Sequence, residues 1–227
     1  MGPAMQALHG RIQQLLDEEV AANPVSYTTY RNMPYQAYER IGLEGVRWSV
    51  EKRIREYGLE RFYNSEQAAI DIGSNMGLFV VEFAHHFRLV HGLEPTPQLN
   101  QIGREVADHL GLGHKVRFFD QTFEEFEAPM AYDVAFSLAA FYTADGRQRS
   151  TADYYFGKIR DMLAPGGRLF YESTSYNKDP QSEIHEHYPV AEQAIASIRR
   201  TFREVEDWET SSGRHDENNR RFAVAVK

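Results

Sequence analysis

The chain has 227 residues, 42% hydrophobic and 26% charged, and no cysteine, so it is long enough for one large domain with a real core and excludes disulfides, thiolate metal sites and a cysteine nucleophile. With 25 basic against 33 acidic side chains the formal charge is −8, which disfavours nucleic acid as a partner. No apolar run approaches the roughly 18 residues of a membrane span.

The N-terminus carries no basic-then-apolar leader pattern and MGPAM reads in part as a cloning remnant, so the expected compartment is the cytoplasm. From Met5 to Ala22, Leu8, Ile12, Leu15, Leu16 and Val20 recur at helical spacing, and Asn23-Pro24 ends the helix. A second helix is expected over Ser49 to Tyr57, with Ser49 as N-cap, Lys52 and Arg53 on its outer side and Gly58 as its stop. After Ser65 the pattern changes. AAIDIG, LVHGLEP, KVRFFD, AYDVAFSLAA and GRLFYEST read as strands, alternating with NMGLFVVEFAHHF, TPQLNQIGREVADHLGL and STADYYFGKIRDML as helices. This order implies right-handed crossovers and a parallel sheet covered on both faces. PVAEQAIASIRR then reads as a helix, and FREVEDWETS and RRFAVAVK as two strands joined by SGRHDENN, a hairpin whose last strand must run antiparallel.

The stretch AAIDIGSNMGLF places Asp71 at a strand end, with Gly73 and Gly77 opening a helix, where a ligand can approach the backbone. Glu94 follows Asp71 by 94 − 71 = 23 residues, near the offset at which an acid takes both hydroxyls of a ribose. An adenosine-containing cofactor fits both. The dinucleotide fingerprint G-x-G-x-x-G is not met, because Asn75 stands where its second glycine would be, so a cofactor without phosphates fits better.

From Ala68 to Lys227 the sequence resembles the class I S-adenosylmethionine-dependent methyltransferases: DIGSNMG matches their first motif, LAPGGRLFYES their approach to strand five, and the closing hairpin their reversed last strand. The resemblance implies a Rossmann-like, doubly wound α/β fold with a seven-stranded, mostly parallel sheet over residues 67–227, and the helical spacing before it reads as an N-terminal helical cap or lid over 1–66. It implies S-adenosyl-L-methionine as cofactor, held by Asp71, Gly73, Ser74, Asn75 and Gly77 around the methionine part. Glu94 would take the ribose, and Asp120 with Gln121 the adenine. Ser137 after strand four completes the set, and Arg47 either reaches the cofactor carboxylate or is a surface arginine beside Glu44. Glu94 and Asp120 also stand where helix N-caps would. GVRWSVEKR, DIGSNMG and FSLAAFYTADGR together look like methyltransferases of polysaccharide sugars and, more distantly, enzymes that modify wobble uridine in transfer RNA. Those relatives often have His where this chain has Tyr142 or Thr143.

Methyl transfer is an in-line displacement, and a hydroxyl acceptor must also lose a proton to a base of suitable pKa. SEIHEHYP follows strand five, where this fold builds acceptor pockets, and makes His185 or His187 the general base unless the segment is a solvated loop; Glu172 and Tyr142 are further catalytic candidates. Tyr30, Tyr35 and Tyr142 could face the sulfonium by cation–π attraction. His85, His86 and His91 lack metal-ligand spacing, so no metal is expected. The expected activity is methyl transfer to an O or N atom of a small-molecule or saccharide acceptor, with homodimerisation left open. The alternatives are a wobble-uridine transfer RNA methyltransferase using Lys52-Arg53-Arg55 and Arg199-Arg200-Arg203, an NAD-dependent oxidoreductase, and a non-catalytic protein that binds the cofactor.

Overall fold

The structure is a computed structural model describing residues 2–23, 29–30, 33–141, 151–211 and 218–227. Two compact units divide the chain, residues 1–68 with 74–121 and residues 69–73 with 122–227.

The first unit opens with α1 (Pro3–Ala22), which starts on a proline and turns Leu8, Ile12, Leu15 and Leu16 inward. Glu19 continues that stripe and is buried, whereas Val20 falls to its side and is exposed. Asn23 closes the helix, its backbone N–H donating to Glu19 O at 2.8 Å. A short hairpin of β1 (Thr29–Tyr30) and β2 (Met33–Pro34) follows, then α2 (Val50–Tyr57). The Ser49 hydroxyl accepts from Lys52 N at the start of α2, and left-handed Gly58 ends it, as its sequence predicts. Arg53 departs from expectation: it is buried with Val50 and Ile54 on the inner face, its guanidinium 4.7 Å above the Phe79 ring. Residue 53 lies on the stripe set by 50 and 54, so its long stem is covered and its planar head stacks on an aromatic.

Next come β3 (Asn64–Ile72), α3 (Leu78–Ala84), β4 (Phe87–Leu93), α4 (Pro97–His109) and β5 (Val116–Phe119). Within this unit α1 packs on α4, with Arg11 3.6 Å from Glu105. The segment before α2 is fastened to α3 through buried Glu82, which receives Tyr38 OH at 2.8 Å and the Arg40 guanidinium at 2.5 and 2.8 Å. Burial pushes the Glu82 carboxyl up, and the bonds from Arg40 and Tyr38 outweigh it, leaving the group below the usual carboxylate range.

The second unit holds the carboxyl end of β3 and then β6 (Tyr132–Leu138), α5 (Ala152–Met162), β7 (Leu163–Glu172), α6 (His187–Thr201), β8 (Arg203–Ser211) and β9 (Asn219–Val226). Thr151 caps α5 by accepting from Tyr154 N at 3.2 Å, and α5 packs on α6. The core of this unit is aromatic: Phe136, Phe170 and Phe222 line up across neighbouring strands, and Trp208 stacks on Phe222 at 5.5 Å.

The seven strands run in the order β5-β4-β3-β6-β7-β9-β8. The β4–β5, β3–β6 and β6–β7 pairs are parallel, and β9 is antiparallel to both β7 and β8. The reversed last strand is thus as its hairpin requires. The chain moves outward from β3 to β5, and β6 pairs with the other flank of β3. No helix among the described residues is long and apolar enough to cross a membrane, and no group of three or more potential ligands there is arranged for a metal.

Candidate active site

β3 delivers Asp71, buried at 2% exposure, and runs into Gly73-Ser74-Asn75-Met76-Gly77. Three of these five residues are left-handed: Gly73 at φ 70°, Asn75 at φ 51° and Gly77 at φ 70°. Asparagine tolerates that region better than most side chains, which suits it to the position the dinucleotide fingerprint gives to glycine. A Cβ on Gly77 would lie 2.5 Å from the Phe118 ring and 3.1 Å from Gly103 Cα. Gly92 of β4 and Gly103 of α4 meet the same ring. Gly77 is therefore required by its backbone and by Phe118, a packing reason its sequence does not display.

The loop is tied to the strand beside it. Ser74 N donates to Leu93 O at 3.0 Å, and Asn75 N to Glu94 Oε2 at 3.2 Å, while Thr96 N reaches Glu94 Oε1 at 3.2 Å. Each Glu94 oxygen thus holds one N–H. Desolvation nevertheless pushes its carboxyl above the usual range, against the bonds from Thr96 and Asn75. Two polar atoms of the loop, Ser74 Oγ and Asn75 Oδ1, are buried with no hydrogen-bond partner among the described residues. Buried polar atoms in such a loop are suited to a polar partner.

At the end of β5, Asp120 is exposed but held: Asn100 Nδ2 donates to its Oδ1 at 2.7 Å and Arg104 Nη2 at 3.1 Å, and Gln121 beside it is exposed. Asn100 and Arg104 are invisible to motif reading. The available signal was a polar residue inside the buried stripe Leu99, Ile102, Gly103 and Val106 of α4. Arg47 donates to Tyr35 OH at 2.6 Å and lies over that ring at 5.5 Å.

In the second unit, Gly73 approaches Ala140, whose Cβ would be 2.8 Å from a Cβ placed on the glycine. Ser137 is fully buried and shares a 3.0 Å hydrogen bond with Tyr155 OH, amid the rings of Phe123 and Phe141. Glu172 ends β7 with no exposure, and Arg220 Nη1 of β9 donates to its Oε1 at 2.5 Å and to Ser173 O at 3.0 Å. His185 lies in the segment that follows β7, and His187 opens α6. His185 Nδ1 lies 3.1 Å from Asn177 O, and His187 Nδ1 lies 2.8 Å from Ser175 O. A carbonyl only accepts, so each Nδ1 donates, and the remaining ring nitrogen of each is Nε2. Tyr142 and Thr143 lie outside the described residues, as does the side chain of Tyr30.

No protein-family model matches the sequence, and no curated protein matches it. Solved structures do. The N-methyltransferase NodS from Bradyrhizobium japonicum WM9, in complex with S-adenosyl-L-homocysteine, is similar at TM-score 0.62 and 15% identity, over 96% of this chain and 98% of that one. The chain has the class I methyltransferase fold. The [4+2]-cyclase SpnF shares that fold with it at TM-score 0.64 and 16% identity, over 100% of this chain and 97% of that one. So does phosphoethanolamine N-methyltransferase 2 of Haemonchus contortus in complex with S-adenosyl-L-methionine, at TM-score 0.57 and 19% identity, over 76% of this chain and 52% of that one. One class I methyltransferase fold here serves a cyclase and two N-methyltransferases, so the reaction has to be argued from the site.

Proposed function

We propose that the chain is an enzyme that binds S-adenosyl-L-methionine and moves its methyl group to an oxygen or nitrogen of a small molecule or sugar. Residues 1–66 serve as a cap and 67–227 as the cofactor-binding domain. The observation that carries this reading is the Glu94 carboxylate held by Asn75 N and Thr96 N beside the buried, unpartnered Ser74 Oγ and Asn75 Oδ1. A hydroxyl-rich nucleoside with an amino-acid tail suits such a group of atoms, and the residues present fit it. A pyrophosphate does not, because the Asn75 N–H it would need is already spent on a carboxylate that would repel it.

In this reading Asp71 and the Gly73 to Gly77 loop hold the methionine end, Glu94 the ribose, and Asp120 with Gln121 the base. Ser137 and Arg47 stay assigned to the same cofactor. Bound there, the cofactor supplies an electrophilic methyl group on a sulfonium. The chain's own task is to orient the acceptor, exclude water and take the acceptor's proton. His187 and His185 suit that last role, since the carbonyls of Ser175 and Asn177 leave Nε2 of each ring as the basic atom. Glu172 suits it less, being fully buried and committed to Arg220.

The transfer RNA alternative loses support from its own arginines. Arg53 is buried, Arg199 is paired with Asp207 at 2.7 Å, and Arg200 with Asp153 at 2.5 Å.

Calorimetry of the purified chain with S-adenosylhomocysteine tests the cofactor, with Glu94→Ala expected to weaken binding about tenfold to a hundredfold, as loss of hydrogen bonds to a charged group does. Binding of NADH with none of S-adenosylhomocysteine would overturn the reading. Incubation of methyl-labelled S-adenosylmethionine with the protein and a cell extract, then fractionated, tests the acceptor. Label is expected in small molecules or saccharides; label in RNA would replace that acceptor class, and tight binding without label would make the protein non-catalytic.

A further inference from the structure

We infer that Asn100 is a positioning residue that sets base specificity at the nucleoside end of this site by holding the Asp120 carboxylate in register with Glu94. The inference rests on the cofactor reading above and adds a residue to it.

Asn100 is fully buried in α4, and its one amide nitrogen meets three acceptors: Glu94 O at 2.7 Å, Phe119 O at 3.1 Å and Asp120 Oδ1 at 2.7 Å. The first two belong to residues at the carboxyl ends of β4 and β5, so a single side chain spans the exits of two adjacent strands. Two N–H bonds cannot serve three acceptors at full strength, and the other end of the amide, Oδ1, is buried with no hydrogen-bond partner among the described residues. An orphaned acceptor is a standing free-energy cost, tolerated here because the nitrogen has this work to do.

That work exceeds what fastening two strand ends requires. Asp120 is exposed, and an exposed aspartate left to itself samples several rotamers. Here Oδ1 is taken by Asn100 and by Arg104, one helical turn further along α4, whose Nη2 also reaches Phe118 O at 3.2 Å. Oδ2 is more lightly engaged, with Arg104 Nη2 at 3.4 Å. A carboxylate anchored by one oxygen and presenting the other is oriented to accept from an amino group. Adenine has such a group at its six position; hypoxanthine carries a carbonyl oxygen there, which a carboxylate repels.

The test compares S-adenosylhomocysteine with S-inosylhomocysteine by calorimetry on the full chain. The wild type is expected to prefer the adenosyl compound by about tenfold to a hundredfold, the range for one hydrogen bond to a charged group. Asn100→Leu removes the donor together with its own orphaned oxygen, at the cost of the bond to Glu94 O, and it should bring the two affinities to within about threefold, mainly by loss of adenosyl binding. Asp120→Asn should do the same, and the double variant should lose no further preference, because one residue acts through the other. If Asn100→Leu fails to fold by circular dichroism, Asn100→Asp keeps the shape, replaces the donor with a second carboxylate facing Asp120, and carries the same expectation. Equal weakening of both ligands, or an unchanged preference, overturns the inference and makes Asn100 a strand fastener. A wild type that binds neither ligand overturns the cofactor reading and this inference with it, a result distinct from wild-type binding with an unaltered variant.

Discussion

Replacing Arg220 with methionine should unfold the second unit far more easily than its position on the last strand suggests. The guanidinium side chain is 6% exposed and its carboxylate partner Glu172 is 0% exposed, with Nη1 2.5 Å from Oε1. Taking away one member of a buried pair strands the other charge in a medium that solvates it poorly, a loss of about 3–5 kcal/mol. For a chain of this size about 2–4 °C of melting temperature follows each kcal/mol, so the melt should drop by roughly 6–20 °C. Arg220→Met with Glu172→Leu removes both charges and should recover most of that loss, since apolar replacements of buried pairs are often close to neutral. Thermal melts and urea titrations of wild type, both single variants and the double variant give the coupling directly. A loss below about 1 kcal/mol for Arg220→Met, or a double variant as unstable as the sum of the singles, would refute the argument that the pair is desolvated and interdependent. The same series bears on catalysis: if Glu172 is engaged only in this way, activity should fall in step with stability across the four proteins.

Glu82 should give the first unit an acid-labile fastening. Its folded carboxyl lies below its unfolded value, so its contribution is complete above the ordinary glutamate range, about 4.3, and is lost as pH falls through the lower folded value; Glu82→Gln should flatten the acid limb of a melting-temperature profile. Gly77→Ala should lose about 2–5 kcal/mol, the sum of a left-handed penalty and a clash with Phe118 and Gly103, and urea titration with S-adenosylhomocysteine calorimetry should show stability and binding falling together. One of His187→Asn and His185→Asn should lower kcat by about 10²–10⁴-fold while leaving S-adenosylhomocysteine affinity within about twofold; if neither falls tenfold, the proton goes elsewhere.

Local chemistry made much of this architecture readable. Ser49 and Thr151 announce the helices they cap, Gly58 the end of α2, and the nearly direct joint between the last two strands their antiparallel pairing. Misreadings arose where distant residues decide the outcome. Strand β3 starts at Asn64, four residues before its apolar run, because exposed Asn64, Ser65 and Glu66 extend the strand with no hydrophobic signal. Helix α3 is shorter than its apolar content suggests, since left-handed Gly77 delays its start and Phe87 is already in β4. Arg53 counts as a surface residue by type, and its place on the Val50 and Ile54 face over the Tyr57 and Phe79 rings accounts for its burial. In the candidate site, Asp71, Glu94 and Asp120 stand at strand ends that their spacing marks, whereas Asn100 and Arg104, which hold Asp120, are single polar side chains with no motif of their own.

The placement of β9 between β7 and β8 also governs how the chain can be assembled. Strand β8 leaves the ribosome before β9, yet β9 is its neighbour in the sheet, so β8 has nothing to pair with until residues 219–226 emerge. For that interval β7 presents the open edge that Arg168 to Glu172 will later offer to Val226 to Phe222. An unpaired, largely apolar edge is where sheets recruit the wrong strand. Closure of this half of the sheet therefore waits on its last strand, and a nascent chain stalled short of Asn219 still carries the open β7 edge.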